Sequence, residues 1–151
     1  LSLQNQIASS GLTSVTLKSW SDDLKSIFAN ADLFCSPSLD EPFGLVIGEA
    51  MAMGLPVIAS DTDGASELFG IKTDSADAAL QHGGMIVPAG DTAALAAAIG
   101  RFCADKKLRQ TAGRNARKRI ETSFTHAHLA DQLDQLITSV APSPGVERSY
   151  I

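Results

Sequence analysis

The stretch ADLFCSPSLDEPFGLVIGEAMAMGLPVIAS, residues 31–60, decides the fold. It opens with the continuously apolar run Leu33, Phe34 and Cys35, the pattern of a strand covered on both faces of a parallel sheet. Residues 37–43 leave this strand as a loop, and a helix is expected to start at Gly44 with Val46, Ala50 and Met53 as its apolar stripe. Gly54 is placed to end that helix as a C′ residue, Pro56 prevents its continuation, and residues 57–59 read as a further strand. Two carboxylates bracket the helix start, Glu41 in the loop and Glu49 more than a turn inside. A helix N-terminus carries unpaired N–H groups and about half a positive charge, which suits a phosphate. Carboxylates on either side can accept charge-assisted hydrogen bonds from hydroxyls at the two ends of a ligand.

Working outward, Leu3 and Ile7 make residues 1–10 the closing turns of a helix ending at Gly11. The absence of an initiator Met leads to the expectation of a fragment of a longer protein. Residues 15–18 read as a short strand, followed by a helix capped by Ser21, with Asp22 and Asp23 in its first turn and Leu24, Ile27 and Phe28 on one face. Beyond Ser60 come the turn 61–64, a short helix through Glu67 and Leu68, and a polar insertion at 71–83 without a clear period. A fourth strand is expected at 85–87, stopped by Pro88. Asp91 then caps a helix with Leu95, Ile99 and Phe102 inside, and helical runs follow at 106–122 and 125–140, the last with Leu129, Leu133, Leu136 and Ile137. Residues 141–151 read as a flexible tail. Strand and helix alternate through the first two thirds, so the expected class is α/β, with a Rossmann-like parallel sheet, helices on both faces and C-terminal helices. Such sheets bind ligands at the carboxyl ends of their strands, where the loop 37–43 lies.

Composition narrows the function. With 44% apolar and 19% charged residues and a net charge of −5 over 151 residues, the chain is an ordinary globular domain and a poor candidate for binding nucleic acid. Eight of its twelve basic residues nevertheless fall between Arg101 and Arg119. The favoured reading is a solvated helical face, with an anionic partner or a membrane surface as the alternative. Cys35 and Cys103 both read as small buried hydrophobes in a reducing compartment. No apolar run is long enough to span a bilayer, and the expected location is cytoplasmic, with peripheral contact on the inner membrane face as a further option.

Residues 31–60 closely resemble the donor-binding motif of retaining glycosyltransferases with the GT-B fold, the family of glycogen, sucrose and lipid-linked mannose transferases that use nucleotide-sugar donors. Gly64 and Glu67 match a Gly-rich turn followed by Glu. Residues 84–91 resemble the family's strand, Pro and helix-capping Asp, and Phe124 the aromatic near the start of the last helices. The similarity runs over residues 15–140, and it implies that residues 1–140 are part of the C-terminal, nucleotide-sugar-binding domain. On this resemblance Glu41 is the catalytic-site residue, accepting from hydroxyls of the transferred sugar. Glu49 accepts from the ribose. The main-chain N–H groups of Phe43 and Gly44 orient the sugar, and those of Leu45 and Val46 bind phosphate, their side chains serving mainly as packing. Lys18, Ser19 and Trp20 lie where the family lines its base pocket, with Ser19 replacing the usual Gly; Asp63 likewise replaces a Gly.

The implied activity is hexosyl transfer from a nucleotide-diphospho-sugar to a hydroxyl of a glycan, lipid or small molecule, with retention and without a metal. His82, His126 and His128 are too scattered to form a metal site. A glycosidase needs two carboxyls facing each other across the bond to protonate a poor leaving group, whereas a nucleoside diphosphate leaves once its charge is stabilised. The family's diphosphate-clamping Lys and Arg, and the acceptor site in its N-terminal domain, have no counterpart in these residues, so the chain is expected to be inactive alone. Two other readings are a non-catalytic interaction module using residues 101–119 and a dinucleotide-binding oxidoreductase fragment. The latter is disfavoured because no G-x-G-x-x-G follows a strand.

Overall fold

The computed structural model describes residues 2–70 and 78–140. Its centre is a parallel sheet of three strands, β1 (Phe34–Ser36), β2 (Val57–Ser60) and β3 (Gly84–Val87), ordered as in the chain. The register pairs Cys35 with Ile58 and Ile58 with Met85. All four residues of β2, Ser60 included, are buried, as a strand in the middle of a parallel sheet covered on both faces requires. Alternation along the strands divides the core into two layers. Val57, Ala59 and Ile86 face α3 (Leu45–Ala52) and α4 (Asp63–Phe69), while Ile58, Met85 and Val87 face α5 (Thr92–Ala104). The long helix α6 (Lys106–Ser123) joins both, giving Ala116 to the first layer and Ala112 to the second. It approaches α3 so closely that a Cβ on Gly113 would lie 2.2 Å from the carbonyl oxygen of Gly54.

Helix ends follow local chemistry. The carboxylate of Asp91 accepts from the Ala94 N–H at 2.9 Å, as expected of a cap. Asp105 ends α5 and caps α6 through the Leu108 N–H at 2.9 Å. Gly54, with φ of +78°, follows α3 as its C′ residue. Two of the clustered arginines act at the opposite ends. Arg109 donates to the carbonyls of Phe102 and Cys103, closing α5, and Arg119 donates to those of Leu68 and Glu67, closing α4. Part of the basic run is therefore internal scaffolding. Arg117 pairs with Glu121 at 2.8 Å on the solvated side of α6, an exposed i,i+4 bridge worth about 0.5 kcal/mol or less.

Several expectations are corrected. Residues 15–18 form no strand, and Val15 and Leu17 are exposed. A strand needs a ladder partner, and among the described residues β1 pairs only with β2. The helix after Trp20 is α2 (Leu24–Ala29), capped by Asp23, whose carboxylate accepts from the Ser26 N–H at 3.0 Å. Ser21 instead accepts from the Asp23 N–H. Hydrogen bonding from Ser26, its hydroxyl first and its N–H second, holds the Asp23 carboxyl below its usual pKa. Of the α2 face only Phe28 is buried, edge-on to Phe34 with ring centroids 5.6 Å apart. On α3 the buried face is Ile47, Ala50 and Met51, with Val46 half-buried, while Met53 at the exit is exposed.

The amino-terminal helix α1 (Leu3–Ser9) buries no residue, nor does α7 (His126–Val140), where Leu129, Leu133, Leu136 and Ile137 form an exposed stripe. Part of the insertion at 71–83 is a 3-10 turn, Ala78–His82, tied to α6 by the Asn115 side chain donating to the Leu80 carbonyl. Its remainder, 71–77, and the expected tail 141–151 lie outside the described residues. Among the described residues no helix is long and apolar enough to cross a membrane.

Both cysteines are free, but only Cys35 is partly buried; Cys103 is exposed because α5 turns Ala98 and Phe102 inward and the next position outward. Burial pushes the Cys35 thiol pKa up, with Cys103 adding to the shift. A maleimide reagent is accordingly expected to label Cys103 quickly and Cys35 only slowly in the folded protein, read by mass spectrometry of the labelled peptides. Phe69, fully buried in the first core layer, should cost about 3–5 kcal/mol when replaced by Ala, whereas Leu133→Ala should change stability by less than about 0.5 kcal/mol, both measured by urea unfolding.

Candidate functional site

The loop after β1 is stopped at Gly44, whose φ of +67° places it in the left-handed region that favours glycine. The side of Gly44 that would carry a Cβ faces Leu68 of α4, with the Leu68 Cδ1 3.0 Å from the ideal Cβ position. Glu41 is half-buried three residues earlier, and its side chain turns back over the helix start. Its Oε1 accepts from the Gly44 N–H at 3.0 Å and the Phe43 N–H at 3.4 Å. Both bonds end on the same oxygen, so the carboxylate is oriented while Oε2 is left for another donor. The Phe43 and Gly44 N–H groups, expected to orient the sugar, here donate to Glu41, because its side chain reaches the first two free donors of the turn.

The first helical bond of α3 runs from the Gly48 N–H to the Gly44 carbonyl at 2.9 Å, so the N–H groups of Leu45 and Val46 precede the hydrogen-bonded ladder. They remain suited to an anion. The side chains of Phe43 and Leu45 are each 77% exposed; Val46 packs against the core, so packing is the role of Val46 but not of Leu45. Glu49 is exposed on α3, about 6 Å further along the axis than Leu45 at 1.5 Å per residue. Glu41 and Glu49 therefore flank the helix start in sequence and in space, one ahead of the free N–H groups and one behind.

Other candidates fall elsewhere. Lys18, Ser19 and Trp20 line a groove of about 400 Å³ with Ser21, Asp22, Leu24 and Ile27, and none of its lining comes from residues 41–49. Trp20 is 84% exposed. Glu67 lies in α4, the short helix expected after the turn, and it borders a different cavity, about 530 Å³, with Arg119, Phe124, His126 and His128. The Arg119 guanidinium lies 5.2 Å from the centre of the Phe124 ring. Asp61 and Asp63 form an Asp-x-Asp pair at the start of α4; Asp61 Oδ1 accepts from the Ser66 hydroxyl at 3.1 Å. Among the described residues no group of three or more His, Cys, Asp or Glu is arranged to hold a metal.

Sequence reasoning also missed what lies beneath the loop. The Gly64 N–H donates to the Glu41 carbonyl at 2.9 Å, bringing the first turn of α4 against residues 41–44. A signal was available, since a glycine inside a short helix is a poor helix former and marks a close backbone approach.

The family model described as Glycosyl transferases group 1 matches residues 2–119. The chain belongs to this family. It is 33% identical over 122 residues to the capsular polysaccharide biosynthesis glycosyltransferase CapM of Staphylococcus aureus, covering 81% of this chain and 30% of that protein. It is 36% identical over 118 residues to the phosphatidyl-myo-inositol mannosyltransferase of Mycobacterium leprae, covering 76% and 28%. Among solved structures, sucrose-phosphate synthase from Thermosynechococcus elongatus superposes with a TM-score of 0.73 at 34% identity, covering 91% of this chain and 33% of that one. Anabaena Alr3699/HepE in complex with UDP and glucose gives 0.74 at 28% identity, covering 91% and 35%. The group 1 chain therefore spans about a third of the length of the relatives it matches, and its fold is that of the GT-B C-terminal domain.

The Glu41 contact predicts a local effect. Glu41→Ala removes the acceptor of the Gly44 and Phe43 N–H groups, so hydrogen exchange at Gly44 should accelerate about tenfold, the equivalent of 1.4 kcal/mol, while exchange at Ile58 in the sheet is unchanged.

Proposed function

We propose that residues 1–140 are the donor-binding part of a retaining glycosyltransferase, moving a hexose from a nucleotide-diphospho-sugar to a hydroxyl of a glycan, lipid or small molecule. The observation that carries the reading is the oriented Glu41 carboxylate directly ahead of the free N–H groups of α3. Charge develops on the diphosphate as the glycosidic bond breaks, and preorganised N–H groups at a helix start stabilise it without reorganisation. In this role the Leu45 and Val46 N–H groups meet the phosphate, Oε2 of Glu41 accepts from a hydroxyl of the transferred sugar, and Glu49 accepts from the ribose.

Family membership and the UDP complex of the HepE neighbour support a nucleotide-sugar donor. The two glutamates lie on opposite sides of the helix start, an arrangement suited to gripping the ends of one ligand. An acid and base working across a single bond would have to face each other. Leaving-group departure and acceptor attack then occur on one face of the sugar, with cations and acceptor groups supplied by a further domain. No step requires a metal, and the enzyme works in the cytoplasm, at the inner membrane face where the acceptor is a lipid.

In full-length protein, Glu49→Ala should weaken UDP binding about tenfold by calorimetry, as expected for the loss of one charge-assisted contact. Glu41→Ala should leave UDP binding nearly intact and lower kcat by roughly 10- to 100-fold. Unchanged turnover in Glu41→Ala, or identical UDP affinity in wild type and Glu49→Ala, would sink the assignment.

A further inference from the structure

Gly64 sits second in α4 and is buried. A Cβ placed on it would lie 2.6 Å from the Phe43 carbonyl carbon, 2.7 Å from the Gly44 nitrogen and 2.8 Å from the Glu41 carbonyl oxygen. Carbon atoms in contact rest about 3.5–4.0 Å apart, so a methyl group here demands a movement of roughly 1 Å. All three neighbours are main-chain atoms, and no rotamer change can relieve the overlap. Either α4 or the loop must move.

The surroundings decide which. Ala65 and Phe69 of α4 are fully buried, Leu68 is buried beside them, and Arg119 holds the carbonyls at the helix end. The loop carries exposed Leu39 and Phe43 and has far less packed against it. The loop yields. Its displacement moves the N–H groups of Phe43 and Gly44, the Glu41 carboxylate they orient, and the entry to α3, while Glu49 rides on a helix anchored by Ile47, Ala50 and Met51.

We infer that Gly64 is a positioning residue for the sugar-diphosphate end of the site, its missing side chain and its N–H bond to Glu41 setting where the loop carries its ligand-binding groups. This rests on the donor-binding reading above and adds a residue that touches no ligand. A shift of about 1 Å in a positioning element is enough to cost up to about 100-fold in a well-aligned site.

The test compares Gly64→Ala with Gly113→Ala in full-length protein, with UDP-glucose and UMP as probes. Gly113 is the matched control, since its Cβ would meet the Gly54 carbonyl at the far end of α3, away from the loop. At a temperature where both variants are folded, Gly64→Ala should bind UDP-glucose at least tenfold more weakly and UMP as wild type does, and Gly113→Ala should bind both normally. UDP-glucose binding by Gly64→Ala equal to wild type, or a loss in both variants that follows their loss of urea stability, overturns the inference. Wild-type protein that binds neither these probes nor the corresponding guanosine and adenosine nucleotide sugars overturns the donor reading itself, a result distinct from failure at Gly64 alone. A measurement on wild type covers the case in which Gly64→Ala does not fold: UDP-glucose should slow amide exchange at Gly64 together with Gly44. Protection of Gly44 with Gly64 unchanged would contradict the coupling.

Discussion

Main chain against main chain, where α4 abuts the loop after β1, is the constraint on which the candidate site depends. The sheet brings the ends of β1 and β2 side by side, and each strand feeds a helix that starts at the same edge. Two helix starts can share that edge only if something between them is small. Gly64 provides the space, its N–H pins the Glu41 carbonyl, and the Glu41 side chain then reaches the N–H groups of its own loop. Buried Leu68 completes the seat under Gly44. The Glu41 carboxylate is thus oriented by two layers of backbone, a preorganised arrangement that leaves little conformational freedom to lose.

Much of this was legible in residues 31–60. Continuous apolar runs gave the strands, Gly54 and Pro56 marked the end of α3, and Asp91 marked the start of α5, because each signal acts within a few residues of itself. The Glu41 and Glu49 spacing placed both carboxylates about the helix start. What failed depended on distant parts of the chain. The apolar alternation at 15–18 was that of a strand, but no ladder partner lies beside it among the described residues. The inward face of α3 was read rightly at Ala50 and in part at Val46, but Ile47 and Met51 were missed, and Met53 falls where the chain turns away. Cys103 was assigned inward on composition, although the position after Phe102 must face solvent. The contact from Gly64 to the loop links residues more than twenty positions apart, beyond the reach of any local pattern.

The basic segment shows how side-chain counts mislead without geometry. A run of lysines and arginines in an acidic protein invites an anionic partner, yet Arg109 and Arg119 spend their donors on the last carbonyls of α5 and α4. A planar guanidinium with several fixed donors suits this task better than an ammonium, because it can span two carbonyls at once. Arg119 also lies against Phe124, so one side chain joins the end of α4 to the entry of α7. Charge in this segment therefore contributes to how the helices are seated around the sheet as well as to the surface potential.

Strand order in the sheet follows chain order, and each new strand pairs with the one made just before it. Among the described strands every pairing is therefore between neighbours in the chain, which keeps the contacts of the sheet short in sequence. β2 acquires its second neighbour only when β3 emerges, and α6 then closes over both core layers. The loop and α4 both precede β3, α5 and α6 in the chain, so every residue at this edge of the sheet is synthesised before the helices that cover the second core layer.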